Sequence, residues 1–258
     1  MKTTVYNLKA RKLEKKLTLA LVGDLHDSPC DTVLRAIYES KPDIVAVTGD
    51  LTSRLDCEEG KIPPNDYGKS ISHKNAFRLL SEAAQLAPTY YSLGNHELCG
   101  HKYKINFGRR CLESNLRLIK ESGAVLLDDT YADLGPVRIG GLTSGMTNPD
   151  LAPKTEWLGD FESTDKYTVL LCHHPEYFPK YLRSRSIDLT LSGHAHGGQI
   201  RLFGRGLFAP GQGILPKYTS GAHENRFVVT RGLCNTAKPI PRLFNPTELV
   251  IIKVDPEF

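Results

Sequence analysis

Five short apolar runs in this 258-residue chain each end in residues that bind metals or move protons. They deliver Asp24 and His26 in "GDLH", Asp50 in "TGD", Asn95 and His96 in "GNHE", His173 in "CHHP", and His194 and His196 in "GHAH". Carboxylate, amide and imidazole donors without cysteine suit Zn, Mn or Fe, whereas an all-oxygen set would favour Mg or Ca. In D-x-H and H-x-H, side chains two apart on an extended segment share a face, so each pair addresses one site or two adjacent ones. A carboxylate offers two oxygens and can bridge two cations. The glycines before Asp24, Asp50, Asn95 and His194 permit sharp turns and close backbone approach. One such histidine alone would read as a structural hydrogen bonder; the ordered set of five clusters carries the metal reading.

These residues need a scaffold that brings strand ends together. "LTLALVGDLH" (17–26), "DIVAVTGD" (43–50) and "PTYYSLGNHE" (88–97) read as strands, with helices predicted over 31–40, where Asp31 is a candidate N-cap, and over 74–86. A further helix ends at Gly123, and "AVLLDD" and "VRIGGLT" follow as strands. The second half is strand-rich: "YTVLLCHHP" (167–175), "IDLTLSGHAH" (187–196), "NRFVVTRG" (225–232) and "ELVIIKV" (248–254). The alternation predicts an α/β fold, in which strand carboxy termini face the ligand crevice and the five clusters can converge. The polar stretch 55–74 and the glycine-rich stretch 203–213 read as loops.

Composition bounds the function. With 40% hydrophobic residues the chain can bury a full core, and no linker-like stretch divides it, so one domain over 1–258 is expected. A formal charge of +4 suits anionic substrates and falls short of a nucleic-acid footprint. The first sustained apolar run, Leu17 to Val22, is too short for a signal-peptide core or a transmembrane segment, so a cytoplasmic location is expected. Six cysteines without CxxC spacing read as reduced thiols, which excludes a zinc-finger module.

The ordered motifs "GDLH … GD … GNHE … H … GHAH" resemble the calcineurin-like metallophosphoesterase superfamily. "GHAHGGQI" with the later "TRGL" looks like its bacterial branch of small phosphodiesterases, which includes UDP-diacylglucosamine hydrolase-like enzymes. The resemblance implies a four-layer α/β/β/α sandwich with a binuclear metal site at the strand C-terminal edge. Asp24, His26, Asp50 and His196 would bind the first of two divalent ions (Mn, Fe or Zn), and Asp50, Asn95, His173 and His194 the second, with Asp50 bridging. The implied activity is hydrolysis of a phosphodiester or pyrophosphate bond by a metal-bridging hydroxide, on a phosphorylated small-molecule or lipid-linked substrate. His96 would be catalytic without binding metal, stabilising charge or protonating the leaving oxygen. Relatives often orient this imidazole with an Asp three residues after the bridging Asp; Ser53 stands there, leaving Asp56 or Glu97 as substitutes.

His174, Arg201 and Arg231 are the candidate substrate-binding residues, while Arg205, Lys217 and Arg226 read as solvated surface cations. Tyr90 and Tyr91 should pack in the core, His73, His101 and His223 belong to no motif, and Cys30, Cys99 and Cys172 lie close in sequence to the candidate ligands. The segment "APGQGILPKY" is a candidate apolar lip. Within the enzyme class the alternative is a phosphomonoesterase or protein phosphatase, against which "GDLTSRL" lacks the GDxxDRG pattern. From another class comes a non-catalytic scaffold of the same fold, against which every candidate ligand position is filled.

Overall fold

The computed structural model describes residues 1–52, 74–98, 116–145, 152–235 and 240–257. In chain order the strands are β1 (Lys2–Ala10), β2 (Leu17–Val22), β3 (Ile44–Val47), β4 (Thr89–Ser92), β5 (Val125–Leu127), β6 (Thr130–Leu134), β7 (Val137–Leu142) and β8 (Tyr167–Cys172). They continue as β9 (Leu189–Ser192), β10 (Arg201–Leu202), β11 (Arg205–Gly206), β12 (Phe208–Ala209), β13 (Gly213–Ile214), β14 (Gly221–His223), β15 (Phe227–Val229) and β16 (Glu248–Pro256). The helices are α1 (Asp31–Ser40), α2 (Lys74–Leu86) and α3 (Leu158–Glu162), with helical turns over 116–121 and a π-helical turn over Phe178–Leu182.

Two six-stranded sheets form, in the orders β1-β16-β2-β3-β4-β5 and β14-β15-β9-β8-β7-β6. Strands β2 to β5 run parallel, as do β7, β8, β9 and β15. Buried strands alternate two apolar faces, and here each face has a different partner. Leu19, Leu21, Ile44 and Ala46 of the first sheet pack against Val169, Leu171, Leu189 and Leu191 of the second. The opposite residues Ala20, Val22, Val45 and Val47 meet Val33, Leu34 and Ile37 of α1 and Leu79, Leu80 and Ala83 of α2. On the far side Leu170, Cys172, Phe227 and Val229 pack on Leu158 and Phe161 of α3 and on Phe178 and Leu182. The layers are therefore helix, sheet, sheet, helix, as the resemblance implies.

The helical pattern of α2 buries Ala76, Leu79, Leu80 and Ala83, a stripe with i, i+3, i+4, i+7 spacing that faces the sheet. Some local expectations differ from the structure. Asp31 is the first helical residue rather than the N-cap; that place belongs to Cys30, which makes no side-chain capping bond. The stretch 203–213 is not an irregular loop but contributes to two short hairpins, β10–β11 and β12–β13. The expected 55–74 loop, save Lys74, and the expectations for Ser53, Asp56, His73, His101 and Cys99 fall outside the described residues.

Candidate metal centre

Each candidate ligand follows the carboxy end of a parallel strand: Asp24 and His26 after β2, Asp50 after β3, Asn95 after β4, His173 after β8, His194 and His196 after β9. Main-chain bonds lace these loops together. Asp24 N–H donates to Gly49 O (3.1 Å), His26 N–H to Asp50 O (3.1 Å) and Gly193 N–H to His173 O (3.1 Å). Five of the seven candidates have left-handed backbones: Asp24 (φ 54°), His26 (46°), Asp50 (53°), His194 (65°) and His196 (46°). Asp and His tolerate this region better than most residues, and such strain of about 1–3 kcal/mol each collects where a site must be held in one shape.

Glycines allow the close approach that the sequence anticipated. A Cβ on Gly94 would lie 2.2 Å from Asp50 Oδ1, and one on Gly193 would lie 2.7 Å from Asp24 Oδ2. The Glu97 carboxylate, fully buried, accepts from Asp50 N (2.8 Å), Gly94 N (2.9 Å), Thr52 N (3.2 Å) and Thr52 Oγ1 (3.0 Å). It ties the β3 loop to the β4 loop, a role sequence reading missed by considering Glu97 only as a partner for His96.

Around His173 the donor atoms face one another. Its Nδ1 lies 2.7 Å from Thr48 O, and since a carbonyl only accepts, Nδ1 carries the proton and directs Nε2 inward. Nε2 then lies 3.0 Å from Asn95 Oδ1, 3.1 Å from His194 Nδ1 and 3.2 Å from Asp50 Oδ2. Acceptors converging in this way repel unless positive charge sits among them. A proton can serve: burial alone would lower His173, but the Asp50 carboxylate overrides it and pushes the imidazole up to about 10. A divalent cation satisfies the same atoms and displaces that proton. The donor set therefore fits a metal.

On the other side of Asp50, His26 Nε2 lies 3.9 Å from Asp50 Oδ2, and His196 Nε2 lies 3.6 Å from Asp24 Oδ1. The His26 and His196 rings stack at 5.3 Å. Burial would raise the Asp50 carboxyl, but His173 and His96 outweigh it and hold it well below the usual carboxylate range. Burial is also the main cause that lowers His26, His194 and His196, so these imidazoles are neutral, as ligation requires. His96 Nε2 lies 3.8 Å from Asp50 Oδ2, as near as that of His26, and its backbone N–H donates to Asp50 Oδ1 (2.8 Å).

The candidate substrate-binding residues have protein partners. His174 is buried, with Nε2 2.6 Å from Ser144 Oγ and Nδ1 3.1 Å from Glu176 Oε1; burial and His173 push it down to about 3. Arg201 is buried and donates to Gly197 O, Gly204 O and Thr219 Oγ1. Arg231 lies beside Glu248, 3.7 Å from Nε to Oε1. Two further groups escaped sequence reading. Cys234, after β15, stands with His26 and His196 at mutual ligand-atom distances within 4.8 Å, and Glu176 does so with His174 and His194. Cys30 and Cys172 pack in apolar clusters.

A profile of the calcineurin-like phosphoesterase family matches residues 17–198, which contain every candidate ligand. The chain belongs to this family. Calcineurin-like phosphoesterases are metal-dependent hydrolases of phosphorylated substrates, in keeping with the His/Asp clusters above. The chain is 30% identical over 249 residues to an uncharacterized metallophosphoesterase of Campylobacter jejuni, covering 94% of this chain and 60% of that one. It is 25% identical over 198 residues to one of Helicobacter pylori, covering 73% and 47%. It thus spans about half to three-fifths of these relatives' lengths. With the phosphodiesterase YaeI of Escherichia coli it shares 26% identity over 226 residues, covering 83% and 74%. No helix among the described residues is long and apolar enough to cross a membrane.

Proposed function

We propose that this metallophosphoesterase cleaves a phosphodiester or pyrophosphate bond at a two-metal centre bridged by Asp50. The observation that carries the reading is the position of Asp50. One of its oxygens has His173 Nε2 at 3.2 Å and His26 and His96 Nε2 at 3.9 and 3.8 Å, so donors surround it. Asp24, His26, Asp50 and His196 would hold one cation; Asp50, Asn95, His173 and His194 would hold the other. Bound divalent cations supply Lewis-acid charge that lowers the pKa of water and stabilises phosphoryl oxygens. The chain's own contribution is positional. Thr48 O and the Glu97 carboxylate fix His173 and the Asp50 loop, and His96 can carry a proton at Nε2 to the leaving oxygen. A relative named as a phosphodiesterase supports the choice of bond.

The test compares bis-p-nitrophenyl phosphate with the monoester, using metal-stripped protein reloaded with Mn²⁺, Zn²⁺ or Fe²⁺. Diester hydrolysis with two equivalents of metal is expected. A monoester preference would turn the reading to a phosphomonoesterase, and no stoichiometric metal would turn it to a scaffold.

A further inference from the structure

Exposed large apolar side chains are concentrated on this molecule. Eight of the fourteen among the described residues fall within 202–215 and 240–244, so they gather in two segments rather than in the usual scatter. Isolated residues of this kind need no explanation; a cluster does. The two segments are joined, since Ile200 bridges Leu243 and Arg201 N–H donates to Leu243 O (3.0 Å). The patch also rides on the candidate centre: Leu207 N–H donates to Gly198 O (3.2 Å), and Asn245 Nδ2 to His196 O (2.7 Å).

Three of these residues are strained as well as exposed. Phe203 (φ 49°), Leu215 (φ 51°) and Phe244 (φ 53°) have left-handed backbones, and among the described residues no other large apolar side chain does. Phe203 and Gly204 form the two-residue turn between β10 and β11 with both φ positive, a geometry that favours Asn-Gly. A bulky side chain costs free energy there, and Phe203 repays none through packing because it is wholly exposed. Phe244 and Ile214 are 79% and 81% exposed. These are projecting tips rather than the walls of a groove.

Within the two segments the charge has one sign, and the acids close outside them include Glu176, buried against Gly211, and Glu224, paired with Arg183. No aspartate or glutamate occurs over 197–223 or 240–247, and Arg205 and Lys217 are exposed beside the tips. Projecting apolar residues with flanking cations and no acid in the segments that carry them complement an anionic bilayer, where rings enter the headgroup boundary and cations meet phosphates. We propose that the face built from Phe203, Phe208, Ile214, Leu215, Leu243 and Phe244 docks on anionic membrane surfaces. Docking stands on the surface alone; that it brings the centre to phosphate groups at the bilayer rests on the hydrolase reading above.

The experiment is co-sedimentation of the full chain with vesicles of phosphatidylcholine, with or without phosphatidylglycerol, before and after EDTA treatment. The chain should pellet with anionic vesicles in both metal states. The F203N/F244N variant should bind about ten-fold or more weakly per phenylalanine removed, and R205Q/K217Q should lose several-fold on anionic vesicles only. F203N/F244N should melt no lower than wild type, because Asn tolerates positive φ better than Phe; this separates docking from folding. A wild-type chain that stays in the supernatant, or a folded F203N/F244N variant that pellets as well, overturns the proposal. So does a wild-type dimer on sedimentation equilibrium that the variant dissolves without any vesicle binding. Vesicle binding without diester hydrolysis would leave docking standing and remove the hydrolase reading.

Discussion

Replacing Gly94 by alanine puts a methyl group 2.2 Å from Asp50 Oδ1 and 2.7 Å from Asp50 N. Both are far inside van der Waals contact, and neither atom is free to retreat. Asp50 N is held by Glu97, and Asp50 Oδ1 accepts from His96 N at 2.8 Å. Overpacking of this kind costs about 1–3 kcal/mol, which in a protein of this size lowers the melting temperature by about 2–10 °C. Gly94 has no positive φ to complicate the reading, so the effect is steric. Because the displaced group is the proposed bridge, G94A should also bind both cations at least about ten-fold more weakly, the lower end of the loss when groups around a metal site are disturbed. The control is G159A in α3, where an added Cβ meets nothing within 4 Å and helix propensity favours alanine. Calorimetry and metal titration on the three proteins decide the matter. A G94A protein with wild-type melting temperature and wild-type metal affinity would refute the argument that this glycine exists to admit Asp50.

Asp50→Asn should lose more metal than His26→Ala, because Asp50 carries charge and faces both donor groups while His26 is neutral and lies on one side; equal metal content by elemental analysis in D50N and wild type would remove the bridge. His96→Ala should keep both metals and lose about 10²–10⁴ in kcat, less for p-nitrophenolate than for alkoxide leaving groups. Loss of a metal from that variant would make His96 a ligand instead. Glu97→Gln replaces one of two acceptor oxygens with an NH2 donor that faces N–H or O–H donors, and a buried mismatch of this kind costs about 1–3 kcal/mol, read as a lower unfolding midpoint in urea. Chelation should lower the melting temperature of the native chain, since cations that bind only the folded state stabilise it, and an unchanged melting curve after verified metal removal would count against the whole centre.

The candidate centre was legible because its chemistry is local in sequence. A strand, a glycine and a polar pair fit within about ten residues, and parallel strands send such ends to one edge. What supports the centre was not legible. Thr48 O orients His173 across 125 residues, and Glu97 grips a loop 47 residues away, and neither contact leaves a local pattern. His174 and Arg201 read as open to substrate because a polar residue beside a motif looks solvated, whereas each is buried against partners. The helices over 31–40 and 74–86 follow from amphipathic period, and the cap failed because Cys30 takes that position with no side-chain bond at all. Strand β1 escaped notice because "KTTVYNLKA" has Thr3, Asn7 and Lys9 but also Val5 on the face that points outward, so no apolar/polar alternation marks it; what makes it a strand is its partner.

That partner has a consequence for synthesis. Strand β16 lies between β1 and β2, parallel to the first and antiparallel to the second, from Lys2↔Glu248 to Ala10↔Pro256 on one side and Val250↔Leu21 to Val254↔Leu17 on the other. A ribosome makes β1 and β2 well before β16, with the other described strands between them, so the first sheet must wait, open in its middle, until β16 inserts. Until then β2 offers an unpaired edge beside Leu19 and Leu21, which the finished protein buries completely. A sheet that closes on a late-made strand exposes such an edge throughout the synthesis of the intervening chain, the condition in which unpaired strand edges and apolar surface favour aggregation over folding.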